Sequence, residues 1–202
     1  MRKFLNVKTA LAALALALVA ATSANAELRS RSFTPEEKQN EGWSAYLGFG
    51  GGNSMIADDG TIFVNLRIGI EWNPLLATGV WASFIASDVR NYNVAGTELI
   101  NYNAFGIQFE LTPFRMSAFS ISVPINVGGG VVNVIEKGDE AFSPEDYFFV
   151  ADMSAQFNYR VTRMLEVSIG GGYRMFTGIN KNNLESLDFC TPFGELRFTI
   201  KE

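Results

Sequence analysis

Between Thr61 and Trp72 the chain alternates without a break. Ile62, Val64, Leu66, Ile68, Ile70 and Trp72 share one parity; Thr61, Phe63, Asn65, Arg67, Gly69 and Glu71 share the other. A period of two puts one set on each face of a β-strand, whereas a helix would scatter the same residues around its cylinder. The pattern recurs in Trp43–Phe49, Asn103–Leu111, Phe119–Val127, Phe149–Val161, Leu165–Met175 and Gly194–Ile200. Leu76–Ser87 is a strand of ambiguous facing, because Val80, Ala82 and Phe84 compete with Trp81 and Ile85. The periodicity predicts about eight strands, an even number. Pro124, inside one of them, predicts a bulge or a distorted position.

The predicted connections alternate in length. Asn73–Leu75, Pro113–Arg115 and Thr162–Met164 are short, whereas the stretches near Gly51–Gly60, Asp88–Thr97, Glu136–Asp146 and Thr177–Asp188 are long and rich in Asn, Asp, Glu and Gly. An up-and-down meander sends alternate connections to opposite rims. Short turns at one rim and long loops at the other is the arrangement of a transmembrane barrel, with both termini on the short-turn side.

Period two does not by itself say whether the apolar face points in or out. A soluble lipocalin-like barrel turns it inward around a ligand; a membrane barrel turns it outward into lipid. Three observations favour the membrane. The polar face carries Ser, Gly, Asn and Gln with a few Arg, Glu and Asp and almost no Lys, which suits a narrow lumen better than a water-exposed surface. Thr61–Trp72 would extend about 40 Å at ~3.3 Å per residue, enough when tilted to cross an apolar band of about 25 Å. Arg67, Arg160 and Arg174 all sit opposite the apolar stripe, where they avoid the ~2–4 kcal/mol that an Arg facing lipid costs at the midplane. With Glu71, Glu110, Asp152, Glu166, Glu195 and Arg197 they are expected to form a paired lumenal network that plugs the barrel, since buried charges need partners. Trp43, Trp72, Phe114, Tyr147, Tyr159 and Phe189 fall near predicted strand ends and are expected to form interfacial girdles.

The N-terminus reads differently. Arg2, Lys3 and Lys8 precede an apolar run from Leu11 to Ala21 and a small-x-small site, Ala24-Asn25-Ala26. Residues 1–26 are therefore expected to be a cleavable signal peptide, the run being too short to span as a helix. Residues 27–41 are polar and interrupted by Pro35, a flexible periplasmic extension with a helix-start signature at Thr34-Pro35-Glu36-Glu37. Residues 42–202 are the barrel domain.

Composition narrows the chemistry. The net charge is −5 and no basic patch appears, which argues against a nucleic-acid partner. The chain has no histidine, and so lacks the commonest general base and metal ligand. Cys190 is alone and cannot form an internal disulfide. Three glycine triplets, at 50–52, 128–130 and 170–172, lack phosphate-loop spacing and read as sites of close backbone approach or curvature. The acidic loop residues follow no EF-hand spacing and read as solvated. No catalytic residue, cofactor or metal site is expected.

The signal peptide, the alternating strands, the short turns and the long loops together resemble the small bacterial outer-membrane barrels of the OmpA-domain and OmpX type. The segments Tyr147-Phe148-Phe149-Val150, Val161-Thr162-Arg163, Gly171-Gly172-Tyr173-Arg174 and Thr177-Gly178 are similar to a group of small outer-membrane proteins without assigned function. The resemblance implies an all-β, closed antiparallel up-and-down barrel of about eight strands in the cell outer membrane. It also implies contact with outer-membrane lipid and with the barrel-assembly machinery, and an extracellular partner reached through the long loops. Such barrels usually end in an aromatic residue, and this chain ends Phe198-Thr199-Ile200-Lys201-Glu202. No peptidoglycan-binding domain is expected after the barrel. Outer-membrane enzymes of similar fold rely on a histidine, so the reading is a non-enzymatic structural or surface-interaction protein with a plugged lumen. The alternatives are a small pore, or a ligand-binding or transport barrel, including a soluble periplasmic form.

Overall fold

The alternating segments pair with their neighbours in chain order, each antiparallel to the last. The computed structural model describes residues 43–92, 98–136, 146–181 and 184–202. Its strands are β1 (Ser44–Ile56), β2 (Asp59–Glu71), β3 (Leu76–Ile85), β4 (Val89–Arg90), β5 (Glu98–Met116), β6 (Phe119–Glu136), β7 (Asp146–Arg160), β8 (Leu165–Thr177), β9 (Asn180–Lys181), β10 (Leu184–Glu185) and β11 (Thr191–Lys201). A 3-10 turn, Ser186–Phe189, precedes β11. The expected signal peptide and N-terminal extension fall outside the described residues, as do parts of three loop segments.

The ring runs β1-β2-β3-β5-β6-β7-β8-β11 and returns to β1. Tyr46 stands opposite Lys201 and Leu47 opposite Ile200, so the first and last barrel strands meet in register. Closure removes the free strand edges that would otherwise need partners in lipid.

Register fixes which way each side chain faces. Ile68 pairs with Val80 and Arg67 with Trp81, which resolves the ambiguous third strand. Val80 and Phe84 point outward, while Trp81, Ser83 and Ile85 are buried inside. Around the ring, Leu47, Ile62, Phe105, Ile107, Phe109 and Met153 are exposed outside, and Asn65, Gln108, Asn126, Asp152 and Gln156 are buried inside. An apolar belt of this extent would be an aggregation liability in water, but it is the surface a strand-built membrane span requires. The chain is a closed, eight-stranded antiparallel up-and-down transmembrane β-barrel, and the inward-facing apolar stripe of a lipocalin-like barrel is not its arrangement.

Two connections differ from the sequence reading. The stretch Gly51–Gly60 is no long loop: β1 and β2 continue to a two-residue turn, Ala57-Asp58. Both turn residues take positive φ, 48° and 64°, as a type I′ hairpin requires. The turn expected at Pro113–Arg115 lies within β5, which shifts register between Leu111 and Phe114. Proline lacks the N–H of a regular ladder and sits readily at such an irregularity. The chain reverses instead at Ser117-Ala118, where Ser117 has φ 48°. Pro124 marks a distorted position rather than a bulge: it stays paired with Glu110, but the β6–β7 ladder is interrupted at Val123 and Pro124 and continues in unchanged register on either side, Ser122 opposite Gln156 and Ile125 opposite Met153.

The interior has two layers. Near the loop end Ile56, Val89, Ile100, Val132, Val150 and Leu184 pack around a group of rings. Tyr102, Phe148 and Phe176 meet edge to face at centroid distances of 5.0–5.9 Å, and Phe189 joins Phe176 at 5.5 Å. Phe189 is thus fully buried, not a girdle residue. The 3-10 turn carries it inward, pinned by Ala57 N–H donating to the Asp188 carbonyl at 2.9 Å. The other expected girdle aromatics, Trp43, Trp72, Phe114, Tyr147 and Tyr159, are exposed. Below the apolar layer the interior is polar.

Candidate functional site in the barrel interior

The polar layer arises because inward positions of β2, β5, β7, β8 and β11 carry charges of both signs that meet across the lumen. Arg67 on β2 donates Nη2 to both carboxylate oxygens of Glu195 on β11, each at 2.9 Å. Asn65 Nδ2 donates to the same carboxylate at 3.0 Å and Gln156 Nε2 at 3.3 Å. On the far wall, Arg174 donates Nε to Asp152 at 3.1 Å and Nη1 to the Tyr102 hydroxyl at 2.6 Å. Asn126 Nδ2 completes Asp152 at 2.7 Å. Arg197 grips Glu110 with both terminal nitrogens, at 3.0 and 3.3 Å, a two-pronged geometry that suits guanidinium and carboxylate.

Towards the short-turn end the network becomes partly exposed. Arg115 donates to Glu71 at 3.0 Å. Lys201 lies 3.1 Å from Glu71 and 3.1 Å from Glu166. This single ammonium on β11 therefore ties β2 to β8 across the seam where β1 and β11 close the ring. A small cavity of about 20 Å³ opens beside it, lined by Tyr46, Arg67, Glu71, Glu110, Glu166, Arg197 and Lys201 among others. That is room for about one water molecule.

The structure brings Arg67, Glu71, Glu110, Asp152, Glu166, Arg174, Glu195 and Arg197 into ion pairs. Arg160 stays outside them: it sits half-buried at the short-turn end of β7, opposite Glu166 in register, and takes part in none of the ion pairs among the described residues. The sequence reading missed Arg115, assigned to a turn, and Lys201. The parity of Arg197, Thr199 and Lys201 puts Lys201 on the inner face, so it was legible in principle. The neutral partners Asn65, Tyr102, Asn126 and Gln156 were also missed, because alternation shows facing but not who meets whom across the lumen. Each pair is balanced, so the cations Arg67, Arg115, Arg174, Arg197 and Lys201 face the carboxylates Glu71, Glu110, Asp152, Glu166 and Glu195. Such charges hold each other. Among the described residues no cluster of His, Cys, Asp and Glu could hold a metal ion.

No protein-family model matches the chain, and no curated protein sequence matches it. Solved structures do. Neisserial surface protein A (NspA) superposes with a TM-score of 0.57 at 14% identity, covering 80% of this chain and 96% of NspA. The N-terminal β-barrel domain of Pseudomonas aeruginosa OprF superposes with a TM-score of 0.50 at 9% identity, covering 78% of this chain and 97% of that domain. At these identities the likeness is one of fold. The chain has the fold of the small eight-stranded outer-membrane β-barrels of the OmpA and OmpX type.

Proposed function

We propose that the protein is a non-enzymatic barrel of the bacterial outer membrane, exported by its N-terminal leader and oriented with its short turns in the periplasm. Its lumen is plugged, and it acts through the surface its loops present outside the cell. The observation that carries this reading is the filled interior: balanced ion pairs in one layer and interlocked aromatic rings in the other. The polar groups serve to hold the ring closed and to satisfy one another, since any one charge left alone there is costly. The outer belt meets lipid, the assembly machinery inserts the chain, and the loops reach the extracellular partner.

Conductance in planar bilayers tests the plug. The folded protein is expected to stay silent at moderate voltage. A steady, large conductance would overturn the plugged reading in favour of a small pore.

A further inference from the structure

We propose that the last loop is a hinged lid. Ile179–Lys181 and Leu184–Cys190 swing as one body about Gly178, and opening turns the apolar layer at the loop end into a pocket open to the outside and closed below. The inference rests on the plugged-barrel reading and assigns the loop-end plug to a movable part. The segment stands apart from the barrel wall. The β7–β8 ladder ends with Thr177 opposite Phe149, and the β8–β11 ladder begins with Thr191 opposite Arg174. Between them β9 and β10 pair with each other in a two-stranded sheet separate from the barrel. The segment also bonds to itself. Ile179 N–H donates to Ser186 Oγ at 3.1 Å, and the Ser186 hydroxyl donates back to the Ile179 carbonyl at 3.3 Å. Glu185 N–H donates to the Asp188 carboxylate at 2.8 Å, and Cys190 N–H to the Leu187 carbonyl at 3.1 Å. Both partners of each bond move together, so these bonds survive a swing of the whole segment.

The ties to the wall are of another kind. Ala57 N–H donates to the Asp188 carbonyl at 2.9 Å, Asn180 N–H to the Asp146 carboxylate at 2.9 Å, and Phe176 N–H to Cys190 Sγ at 3.3 Å. Sulfur is a weak acceptor. Apolar contact adds to these bonds: Ile179, Leu184 and Phe189 are 4%, 2% and 0% exposed, and Phe189 meets the Phe176 ring at 5.5 Å. Such contact has no fixed direction. It holds the lid shut without building it into a ladder, and segments held in this way open locally before the whole fold does. Gly178 supplies the pivot. Its φ is 106°, and a Cβ there would fall 2.9 Å from the Tyr147 carbonyl oxygen, so only glycine suits the position. Beneath the lid, the Arg174–Asp152 pair and the Phe63 and Phe193 rings against the guanidinium close the floor. Opening therefore makes a blind apolar pocket and not a pore.

Amide hydrogen exchange on the full folded chain in detergent micelles tests the lid. The amides of Ala57, Phe176 and Asn180 belong to three different elements and each spans the joint between lid and wall. They are expected to exchange with one shared opening constant, ahead of the ladder amide of Leu66. Phe189→Ala should speed all three by a common factor of about 100 or more. Maleimide labelling of Cys190, the one cysteine of the chain, should speed by the same factor. Leu184→Ala replaces Phe189→Ala if the latter gives no heat-modifiable barrel. Unequal factors at the three amides would overturn the single moving body. Exchange no faster than at Leu66 would make the plug a fixed part of the wall, overturning the lid while leaving the plugged barrel intact. The loosened variant should also stay silent in planar bilayers; a steady conductance from it alone would overturn the closed floor, whereas conductance from the unaltered chain would sink the plugged reading itself.

Discussion

Arg174 donates its Nε–H to Asp152 at 3.1 Å, and this pair marks the boundary between the two interior layers. The same guanidinium lies over the rings of Phe63 and Phe193, 4.7 and 5.1 Å from their centroids. One face of the cation is thus held by aromatic rings and its edge by a carboxylate. Asp152→Ala leaves that buried cation with the Tyr102 and Ser83 hydroxyls and without its directly bonded carboxylate. It should destabilise the barrel by about 3–5 kcal/mol, read from urea unfolding in micelles. A loss below about 1 kcal/mol is what an exposed pair would give, and would mean that water reaches Arg174.

Tyr46 reaches across β2 onto β3. Gly69 and Gly79 face each other there, and a Cβ on either would fall 2.6 or 2.7 Å from the Tyr46 hydroxyl as well as against strand backbone. Gly79→Ala should therefore cost about 1–3 kcal/mol through overpacking. Gly60→Ala, where a Cβ meets nothing within 4 Å, should change stability by less than about 0.5 kcal/mol. Equal effects from the two in the same unfolding assay would refute the close approach of Tyr46.

Leu66 lies on the outward face midway along β2. Leu66→Arg should cost about 2–4 kcal/mol in a phospholipid bilayer, measured by reversible unfolding from vesicles. A change within about 0.5 kcal/mol, the usual range for a water-facing substitution, would put that face in water.

Phe189 and Leu187 belong to one 3-10 turn and point opposite ways, Phe189 fully buried and Leu187 76% exposed. Phe189→Ala should cost about 3–5 kcal/mol, and Leu187→Ala less than about 0.5 kcal/mol. Thermal unfolding of the two variants checks the contrast. Reversed effects would mean that the turn caps the barrel with its other face.

The fold was legible because a barrel repeats one rule along its whole length. Outward Ile62 through Trp72 and inward Arg67 follow from parity alone. Irregular backbone was harder to read. Ala57-Asp58 sits in an Asn-, Asp- and Gly-rich stretch that reads as a loop, yet positive φ at two residues makes it a tight hairpin. Pro113 reads as a turn but sits in a register shift. Phe189 reads as a girdle residue because nothing in the local pattern shows that a 3-10 turn folds it back over the rings of β7 and β8. The interior charges were legible as a set by their facing. Their partners depend on geometry across the lumen, so the Arg67–Glu195 pair and the exclusion of Arg160 needed the closed ring.

A closed barrel in the outer membrane is tested most directly by fractionating expressing cells and running the membrane pellet on a gel with and without heating. Recovery in the outer membrane, with unheated protein migrating faster than heated protein, is the predicted result. Recovery in the soluble periplasm with no mobility shift would contradict it and would mean that the apolar belt does not face lipid.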